Sequence, residues 1–210
     1  MKTNFLPGII AMAIVVVASN ILVQFLLLDG LLTWGAFTYP FAFLITDIMN
    51  RVYGVGAARR VVFVGFVTGI ICSLIGSQVM LEYGPAVPLR IAVGSGIAFL
   101  TAQMLDIAVF NRLRDGKWWR APLASTLIGS AIDTALFFTI AFWSGITVFG
   151  PAANEAVSWA SDVVPFFNTG PALPLWMTLA VADWGVKLAI ALIALVPFRI
   201  IVGSLTRQTT

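Results

Sequence analysis

Histidine is absent from this 210-residue chain, and cysteine occurs once, as Cys72 inside an apolar run. The chain therefore lacks the commonest general base, the commonest metal ligand and the commonest partner of a catalytic nucleophile. A lone cysteine cannot form an intrachain disulfide. With no histidine beside it, this cysteine cannot form a zinc site either. No metal or other cofactor is expected.

Other signatures of enzymes are missing as well. Gly54-Val-Gly56 is not followed by Gly-Lys-Ser/Thr, so it is not a phosphate-binding loop. The GxGD pattern of intramembrane aspartyl proteases is absent, although the chain has enough acids for such a site. No segment has the size of a nucleotide-binding domain, which excludes an ATP-driven pump that acts alone. The chain is predicted not to be an enzyme.

Charged residues are also scarce, at 10% of the chain, whereas 60% of the residues are hydrophobic. A soluble domain carries roughly 25% charged residues. A core of this size cannot bury such an excess of apolar side chains, but a bilayer accommodates it, so the chain is predicted to be an integral membrane protein. The net charge of +3 does not indicate nucleic acid, because the basic residues are scattered at the ends of apolar segments.

Six apolar runs are long enough for membrane helices and too long for barrel strands, which need only ~9–11 residues. We expect an all-α bundle, one domain over residues 1–210, with spans at 7–28, 31–50, 60–81, 89–113, 121–149 and 172–201. The first run exceeds the ~7–15 residues of a signal-peptide core, so it is predicted to be a retained span. In the second run the uncharged stretch before Asp47 is short, and it contains Pro40. Both features favour a broken or tilted helix.

The basic residues predict the orientation of these spans. Ten of the twelve fall on one side, while Arg90 lies on the other side and Lys187 within a span. Cytoplasmic segments carry the excess of Lys and Arg, so both termini are predicted to be cytoplasmic. The longest outer connection, 150–171, is predicted to be either an ordinary loop or a short helix at the membrane interface.

Five ionisable residues fall inside predicted spans: Asp47, Asp106, Asp133, Asp183 and Lys187. Such residues cost at least roughly 2.5–3.5 kcal/mol each at the bilayer centre, so they mark functional sites or paired charges. Asp183 and Lys187 are four residues apart, on one helix face. They are predicted to form an ion pair with a structural or a gating role.

Each of three other predicted spans places an acid one turn from a polar neighbour, as the pairs Asp47/Asn50, Gln103/Asp106 and Ser130/Asp133. With Asp183/Lys187, four of the six spans present such a face, which predicts a polar cavity and a route for a solute or ion. Carboxylates with amides suit a ligand rich in N–H groups, such as a purine-like base, and aromatic rings suit stacking. The predicted substrate-binding residues are Asp47, Asn50, Gln103, Asp106, Asp133, Asp183 and Lys187.

Four polar blocks resemble the signature of the VUT family of bacterial queuosine precursor transporters. They are YPFAFLITDIMNRVYGVGAARRVVFVG (39–65), AQMLDIAVFNRLR (102–114), WWRAPLASTLIGSAIDTALFFTIAFW (118–143) and, more loosely, VADWGVKLAIAL (181–192). The resemblance implies a six-helix protein of the inner membrane that imports 7-cyano-7-deazaguanine or 7-aminomethyl-7-deazaguanine for queuosine in tRNA. The family's polar motif residues fall on Asp47, Asn50, Arg51, Gln103, Asp106, Asp133 and Lys187. Arg51 stands where many members have Glu.

The main hypothesis is a transporter of 7-deazaguanine bases, in which Asp106, Asp133 and Gln103 hold the N–H edge of the ring. The alternatives are a substrate-binding subunit of a vitamin-type importer with a separate energising module, and a structural or assembly protein of the membrane. The expected partners are a small purine-like base and the lipid bilayer, without nucleic acid. Both a monomer and a homo-oligomer are compatible with the sequence. Proton coupling through Asp133 or Asp183 and facilitated diffusion are both open.

Overall fold

A computed structural model describes residues 5–82 and 84–207. Helices dominate this part of the chain: α1 (Leu6–Leu22), α2 (Trp34–Thr38), α3 (Phe41–Tyr53), α4 (Val55–Gln78), α5 (Leu89–Leu113), α6 (Arg120–Phe142), α7 (Pro151–Glu155) and α8 (Leu175–Arg207). The strands form three short antiparallel ribbons within the connections. They pair β1 (Leu26–Leu27) with β2 (Leu32–Thr33), β3 (Met80–Leu81) with β4 (Gly84–Pro85), and β5 (Val163–Pro165) with β6 (Ala172–Pro174).

The distribution of apolar side chains is that of a membrane protein. Helices α4, α5, α6 and α8 are long and apolar enough to cross a bilayer, and α1 is a shorter apolar helix of 17 residues. Large apolar side chains such as Phe63, Leu74 and Ile193 point outward, exposed by 59%, 62% and 69%. Many polar side chains are instead buried between helices. The chain is therefore an all-α, multi-pass membrane protein.

The second predicted span is broken, as Pro40 suggested. Thr33 caps α2 by accepting a hydrogen bond from the backbone N–H of Ala36 at 3.3 Å. After one short helix the chain turns at Tyr39 and Pro40, and α3 begins at Phe41. Proline has no backbone N–H and cannot continue the hydrogen-bond ladder of α2. The break leaves Tyr39 at the junction of the two helices.

Several predicted span boundaries differ from the observed helices; helix α4 runs from Val55 to Gln78, where residues 60–81 were predicted. Helix α1 ends at Leu22 rather than at residue 28, because the chain turns into the β1–β2 ribbon, where Leu28, Asp29 and Gly30 have positive φ. Helix α6 ends at Phe142 rather than at 149, since Trp143 is extended. Helix α8 begins at Leu175 and continues to Arg207, past the predicted end at 201.

Arg90 stabilises the early end of α6. Its guanidinium donates hydrogen bonds to the carbonyl oxygens of Ile140 and Trp143 and to Oδ1 of Asn154, at 2.8–3.1 Å. The last carbonyl groups of a helix have no partner within the helix, and a cation at this end is favoured by the helix dipole. Arg90 is only 1% exposed. It therefore joins α5, the end of α6 and the segment that follows.

The outer connection at 150–171 matches neither of the two predicted forms. It contains α7, two 3₁₀ turns and strand β5, and it packs against the bundle. Val157 and Ala160 are buried against Phe138, Ala141 and Phe142 of α6. Burial of these small apolar side chains fixes the segment over the outer ends of α6 and α8, where an unstructured loop would leave them in water.

Helices α5 and α6 approach each other closely through glycine. A Cβ at Gly94 would lie 3.4 Å from the Phe137 carbonyl oxygen, and a Cβ at Gly129 would lie 3.3 Å from that of Ala102. Small residues at such contacts let membrane helices pack backbone against backbone. This pair of helices carries three of the predicted site residues, Gln103, Asp106 and Asp133.

Candidate functional site

One face of α6 forms a buried polar column. Ser125, Thr126, Ser130, Asp133 and Thr134 are each at most 7% exposed, and members of successive turns are three to five residues apart. Residues at this spacing share one side of a helix. The column is divided between two clusters of polar side chains, one at each end.

The first cluster surrounds Lys187 of α8. Its ammonium nitrogen Nζ lies 2.8 Å from Oδ2 of Asp133, 2.5 Å from Oδ2 of Asp183 and 2.9 Å from Oγ1 of Thr134. The predicted pairing of Lys187 with Asp183 is therefore present. Asp133 is a second carboxylate partner that sequence spacing did not indicate, because it is 54 positions away in the chain.

Two hydroxyl groups complete this Lys187 cluster. Tyr39 Oη donates to Oδ1 of Asp133 at 2.8 Å, and Thr134 Oγ1 donates to Oδ2 of Asp183 at 2.9 Å. The ammonium group also lies 5.3 Å from the centroid of the Tyr39 ring, within range of a cation–π contact. Two carboxylates face one ammonium, so the cluster has a net negative charge when all three groups are ionised.

The second cluster is an acid pair, Asp47 of α3 and Asp106 of α5. Both acids lie where α3 contacts α5, beside the hydrogen bonds that join Thr46 to Gln103 and Asn50 to the Ile107 carbonyl oxygen. Ser125 Oγ donates to Oδ1 of Asp47 at 3.1 Å, and Thr126 Oγ1 donates to its Oδ2 at 3.3 Å. Asp47 and Asp106 are 2% and 0% exposed, and neither is in an ion pair within the described part of the chain.

Two amide side chains lie one turn from these acids. Gln103 accepts a hydrogen bond from Thr46 Oγ1 at 2.6 Å, and Asn50 donates to the Ile107 carbonyl oxygen at 3.2 Å. Among the described residues, Nε2 of Gln103, Oδ1 of Asn50 and both carboxyl oxygens of Asp106 have no hydrogen-bond partner. Buried polar atoms normally have partners, because leaving one unpaired costs about 1–3 kcal/mol. These atoms are therefore candidates for contact with a ligand.

The two clusters lie at different depths in the membrane. Ser125 of the acid pair and Asp133 of the Lys187 cluster are eight residues apart on α6, or about 12 Å at ~1.5 Å per residue. The acid pair is nearer the end of α6 that begins at Arg120, where the basic residues gather. The structure thus brings Asp47, Asn50, Gln103 and Asp106 together at one level, and Asp133, Asp183 and Lys187 at another.

Sequence reasoning missed several members of these clusters: Tyr39, Thr46, Ser125, Thr126 and Thr134. The three hydroxyl residues of α6 had a visible signal, because they share the face of Ser130 and Asp133. Tyr39 had no such signal, because the break between α2 and α3 at Pro40 determines where its side chain points. Arg51, a motif residue of the VUT family, donates to the Arg114 carbonyl oxygen near the end of α5, away from both clusters.

The described residues also contain two cavities near polar groups. One, of about 240 Å³, lies beside Arg90, Asn154 and Glu155 at the outer connection. The other, of about 10 Å³, lies between α3, α6 and α8 and reaches Asp47 and Thr126. Within residues 5–82 and 84–207, no three His, Cys, Asp or Glu side chains are grouped as metal ligands.

A bundle of apolar helices that encloses a column of acids, amides and one lysine is the architecture of a membrane transporter. The chain belongs to the family described as "Putative vitamin uptake transporter", which matches residues 33–202. This confirms the resemblance to the VUT family. Membership of a transporter family also agrees with the prediction of a protein that is not an enzyme.

Three relatives with assigned names are similar to this chain. The queuosine precursor transporter of Escherichia coli (strain K12) is 34% identical over 197 residues, which cover 88% of this chain and 79% of the relative. The probable queuosine precursor transporter of Haemophilus influenzae is 39% identical over 128 residues, 56% of this chain and 54% of the relative. That of Bacillus subtilis (strain 168) is 31% identical over 130 residues, 52% and 56% respectively. No solved structure matches the chain.

Proposed function

We propose that this chain imports 7-deazaguanine precursors of queuosine, 7-cyano-7-deazaguanine or 7-aminomethyl-7-deazaguanine, across a bacterial inner membrane for tRNA modification. The support is threefold: membership of the transporter family, relatives named queuosine precursor transporter, and buried polar clusters inside the bundle. The observation that carries the proposal for this class of substrate is the Lys187 cluster. It holds more carboxylate than ammonium inside the bundle, where ionisable groups are costly and commonly mark a binding site or a transport route.

The proposed topology has six crossings with both termini in the cytoplasm. Helices α4, α5, α6 and α8 supply four crossings. Helix α1 and the broken α2–α3 unit supply the other two. Ten of the twelve basic residues then lie on the cytoplasmic side, which is the arrangement that the positive-inside rule predicts.

The chemistry of the base suits this polar column. A deazaguanine presents a carbonyl oxygen and several N–H groups along its edge, so it needs both acceptors and a donor. Asp133 and Asp183 supply buried carboxylate acceptors, and Nε2 of Gln103 supplies an amide donor without a partner among the described residues. Hydrogen bonds to charged acceptors are worth roughly 1.5–3 kcal/mol each. We propose that Asp133 and Asp183, with Lys187, hold the edge of the base, and that Gln103, which lies at the level of the acid pair, contacts the base as it passes.

Aromatic rings beside the Lys187 cluster suit the flat face of the same ligand. Tyr39 makes edge-on contacts with Phe43 and Phe99, with ring centroids 6.3 Å and 6.2 Å away. Base–aromatic stacking contributes about 1–3 kcal/mol per base. We propose that Tyr39 contacts the ring face, and that Asp47, Asn50 and Asp106 line the cytoplasmic half of the route.

Complementation tests the substrate. The host is a strain that can neither make the precursor nor take it up by its own transporter, and the readout is queuosine in its tRNA. Supplied precursor should restore queuosine when this chain is expressed. The Asp133→Asn variant should reduce it at equal membrane abundance, whereas the matched change Asp162→Asn in the exposed outer connection should not. No queuosine with the wild-type chain overturns the assignment of the substrate.

The rival is a substrate-binding subunit that needs an energising module. The names of the relatives favour a transporter. Uptake in a host that lacks such modules separates the two functions: a transporter restores queuosine there, and a binding subunit does not.

A further inference from the structure

The Asp47–Asp106 pair has no cation to balance two negative charges. Both side chains are at most 2% exposed, and both lie where α3 contacts α5, beside the Thr46–Gln103 and Asn50–Ile107 hydrogen bonds. Lys187, the cation of the other cluster, is paired with Asp133 and Asp183. Two ionised carboxylates in contact and away from water repel each other strongly, so such a pair normally shares one proton.

Buried atoms without partners surround the pair. Both oxygens of Asp106 and Oδ1 of Asn50 are acceptors without a donor among the described residues. Ser125 and Thr126 donate to Asp47, but no described donor serves Asp106. A proton on the pair gives Asp47 and Asp106 an O–H···O hydrogen bond and removes one of the two charges. Two adjacent buried acids without a cation, one of them without a described donor, are therefore an arrangement in which a bound proton is expected.

The helices that pack against α3 and α5 bring no basic side chain to the pair. Helix α6 faces it with Ser125 and Thr126, and α8 lines the crevice at Asp47 with apolar Ala191 and Leu195. Helices α1 and α2 contain no ionisable residue. The other charged groups of these helices have partners elsewhere. Arg51 donates to the Arg114 carbonyl oxygen, Arg90 donates to α6, Asp133 and Asp183 pair with Lys187, and Arg199 lies over the Trp118 ring. The remaining basic residues are exposed: Arg59, Arg60, Arg112 and Arg120.

A small crevice lies at the same place. The cavity of about 10 Å³ reaches Asp47 between Pro40 of α2–α3 and Pro122 of α6. Roughly 10–15 Å³ is the space that one water molecule needs. The pair also lies toward the end of the bundle with the basic residues, which the proposed topology places at the cytoplasm.

We propose that the Asp47–Asp106 pair is a proton-binding site that couples transport to the proton gradient. One proton is shared between the carboxyl groups in the arrangement described here. When the cytoplasmic end opens, the proton passes to water, leaves two carboxylates and makes the site more negative by one charge. Reprotonation from the outer side closes the cycle. The coupling rests on the proposed function, whereas the proton site does not.

Infrared difference spectroscopy tests the proton site without any substrate. The full-length protein, in lipid nanodiscs, is compared between acidic and alkaline buffer in H₂O and D₂O. Exposed Asp and Glu are ionised at neutral pH, so a protonated-carboxyl C=O band that persists there and shifts in D₂O reports a buried acid. We expect this band in the wild type and in the matched surface variant Asp115→Asn. We expect it to be lost in Asp47→Asn and in Asp106→Asn.

Each outcome either supports or overturns the assignment of the Asp47–Asp106 pair as the proton site. Absence of the band from the wild type, or its survival in both single variants, overturns the site. Its loss on addition of sodium chloride at constant pH shows a sodium site and also overturns the proposal. If an asparagine variant does not yield monodisperse protein, Ser125→Ala keeps both carboxyl groups and removes a donor to Asp47. The C=O band should then shift in frequency, and an unchanged band places the proton on another acid.

Proteoliposomes test the coupling and separate it from the proposed function. An imposed gradient, acidic outside, should make the wild type accumulate labelled 7-cyano-7-deazaguanine above equilibrium, and Asp106→Asn should not exceed equilibrium. Equal accumulation by both proteins overturns the coupling. If the wild type takes up no precursor while the infrared band behaves as expected, the proposed function fails and the proton site stands.

Discussion

Replacement of Lys187 by Met should destabilise the protein strongly. The substitution keeps the length of the side chain and removes the one cation of its cluster. Asp133 and Asp183 then lose an ammonium group that lies 2.8 Å and 2.5 Å from their oxygens. Asp133 is 3% exposed, so water cannot replace the lost partner there.

The expected loss follows from the burial of these groups. Removing one partner of a buried ion pair costs about 3–5 kcal/mol, because the remaining charge is uncompensated. At ~2–4 °C per kcal/mol for a chain of this size, the apparent Tm should fall by about 6–20 °C. Neutralising both acids as well, with Asp133→Asn and Asp183→Asn, should recover most of that fall. A well-packed neutral cluster no longer contains a buried unpaired charge.

Thermal unfolding of the purified protein in nanodiscs measures this effect. The matched control is Lys117→Met, which makes the same change at an exposed position between α5 and α6. A Tm for Lys187→Met within ~2 °C of the control would refute the reasoning, since it would show that the two carboxylates do not depend on Lys187.

Three further changes test other parts of the structure. Arg90→Met removes the side-chain donor to the Ile140 carbonyl oxygen and one of the two donors to that of Trp143, which keeps the Ile146 N–H. The Tm should therefore fall by several degrees, and a Tm equal to wild type would contradict the role of this side chain at the end of α6. Gly129→Ala places a Cβ 2.9 Å from the Phe43 ring of α3 and 3.3 Å from the Ala102 carbonyl oxygen of α5, so it should lower the Tm. Gly185→Ala, with nothing within 4 Å, should leave the Tm unchanged or raise it slightly; equal effects would show that α6 does not need these close contacts with α3 and α5. Tyr39→Phe removes only the hydroxyl that donates to Asp133, so precursor uptake should fall at unchanged membrane abundance, and full uptake would remove this hydrogen bond from the site.

Sequence reasoning predicted the environment of the chain better than its internal contacts. The scarcity of charge indicated a bilayer, and a spacing of four residues predicted the contact between Asp183 and Lys187. Both inferences depend on composition or on one helix, and neither needs knowledge of how helices pack. The broken helix at Pro40 follows in the same way from the local chemistry of proline.

Contacts between helices were harder to predict. Gln103 and Asp106 were expected to act with Asp133 on one ligand edge, but the structure places Asp106 beside Asp47 and Asp133 beside Lys187. Helical period shows which residues share a face of one helix, and it does not show at which depth two helices meet. That register depends on the glycine contacts between α5 and α6.

Arg90 shows the same limit at the other end of the bundle. Its position in the sequence placed it at the very start of a predicted span, where a basic residue next to the membrane needs no explanation. In the structure it is buried and holds the last turn of α6. The early end of that helix was also missed, since residues 143–149 are apolar enough to continue a span. The turn depends on a contact with a residue 50 or more positions away.

Uptake of labelled 7-cyano-7-deazaguanine by the purified protein in liposomes, with no other protein present, tests the central claim most directly. The account predicts uptake that unlabelled precursor competes for, and that Asp133→Asn reduces strongly while Asp162→Asn does not. Absence of uptake by the wild-type protein, or equal uptake by Asp133→Asn, would contradict the claim that the buried polar clusters of this bundle carry a deazaguanine base across the membrane.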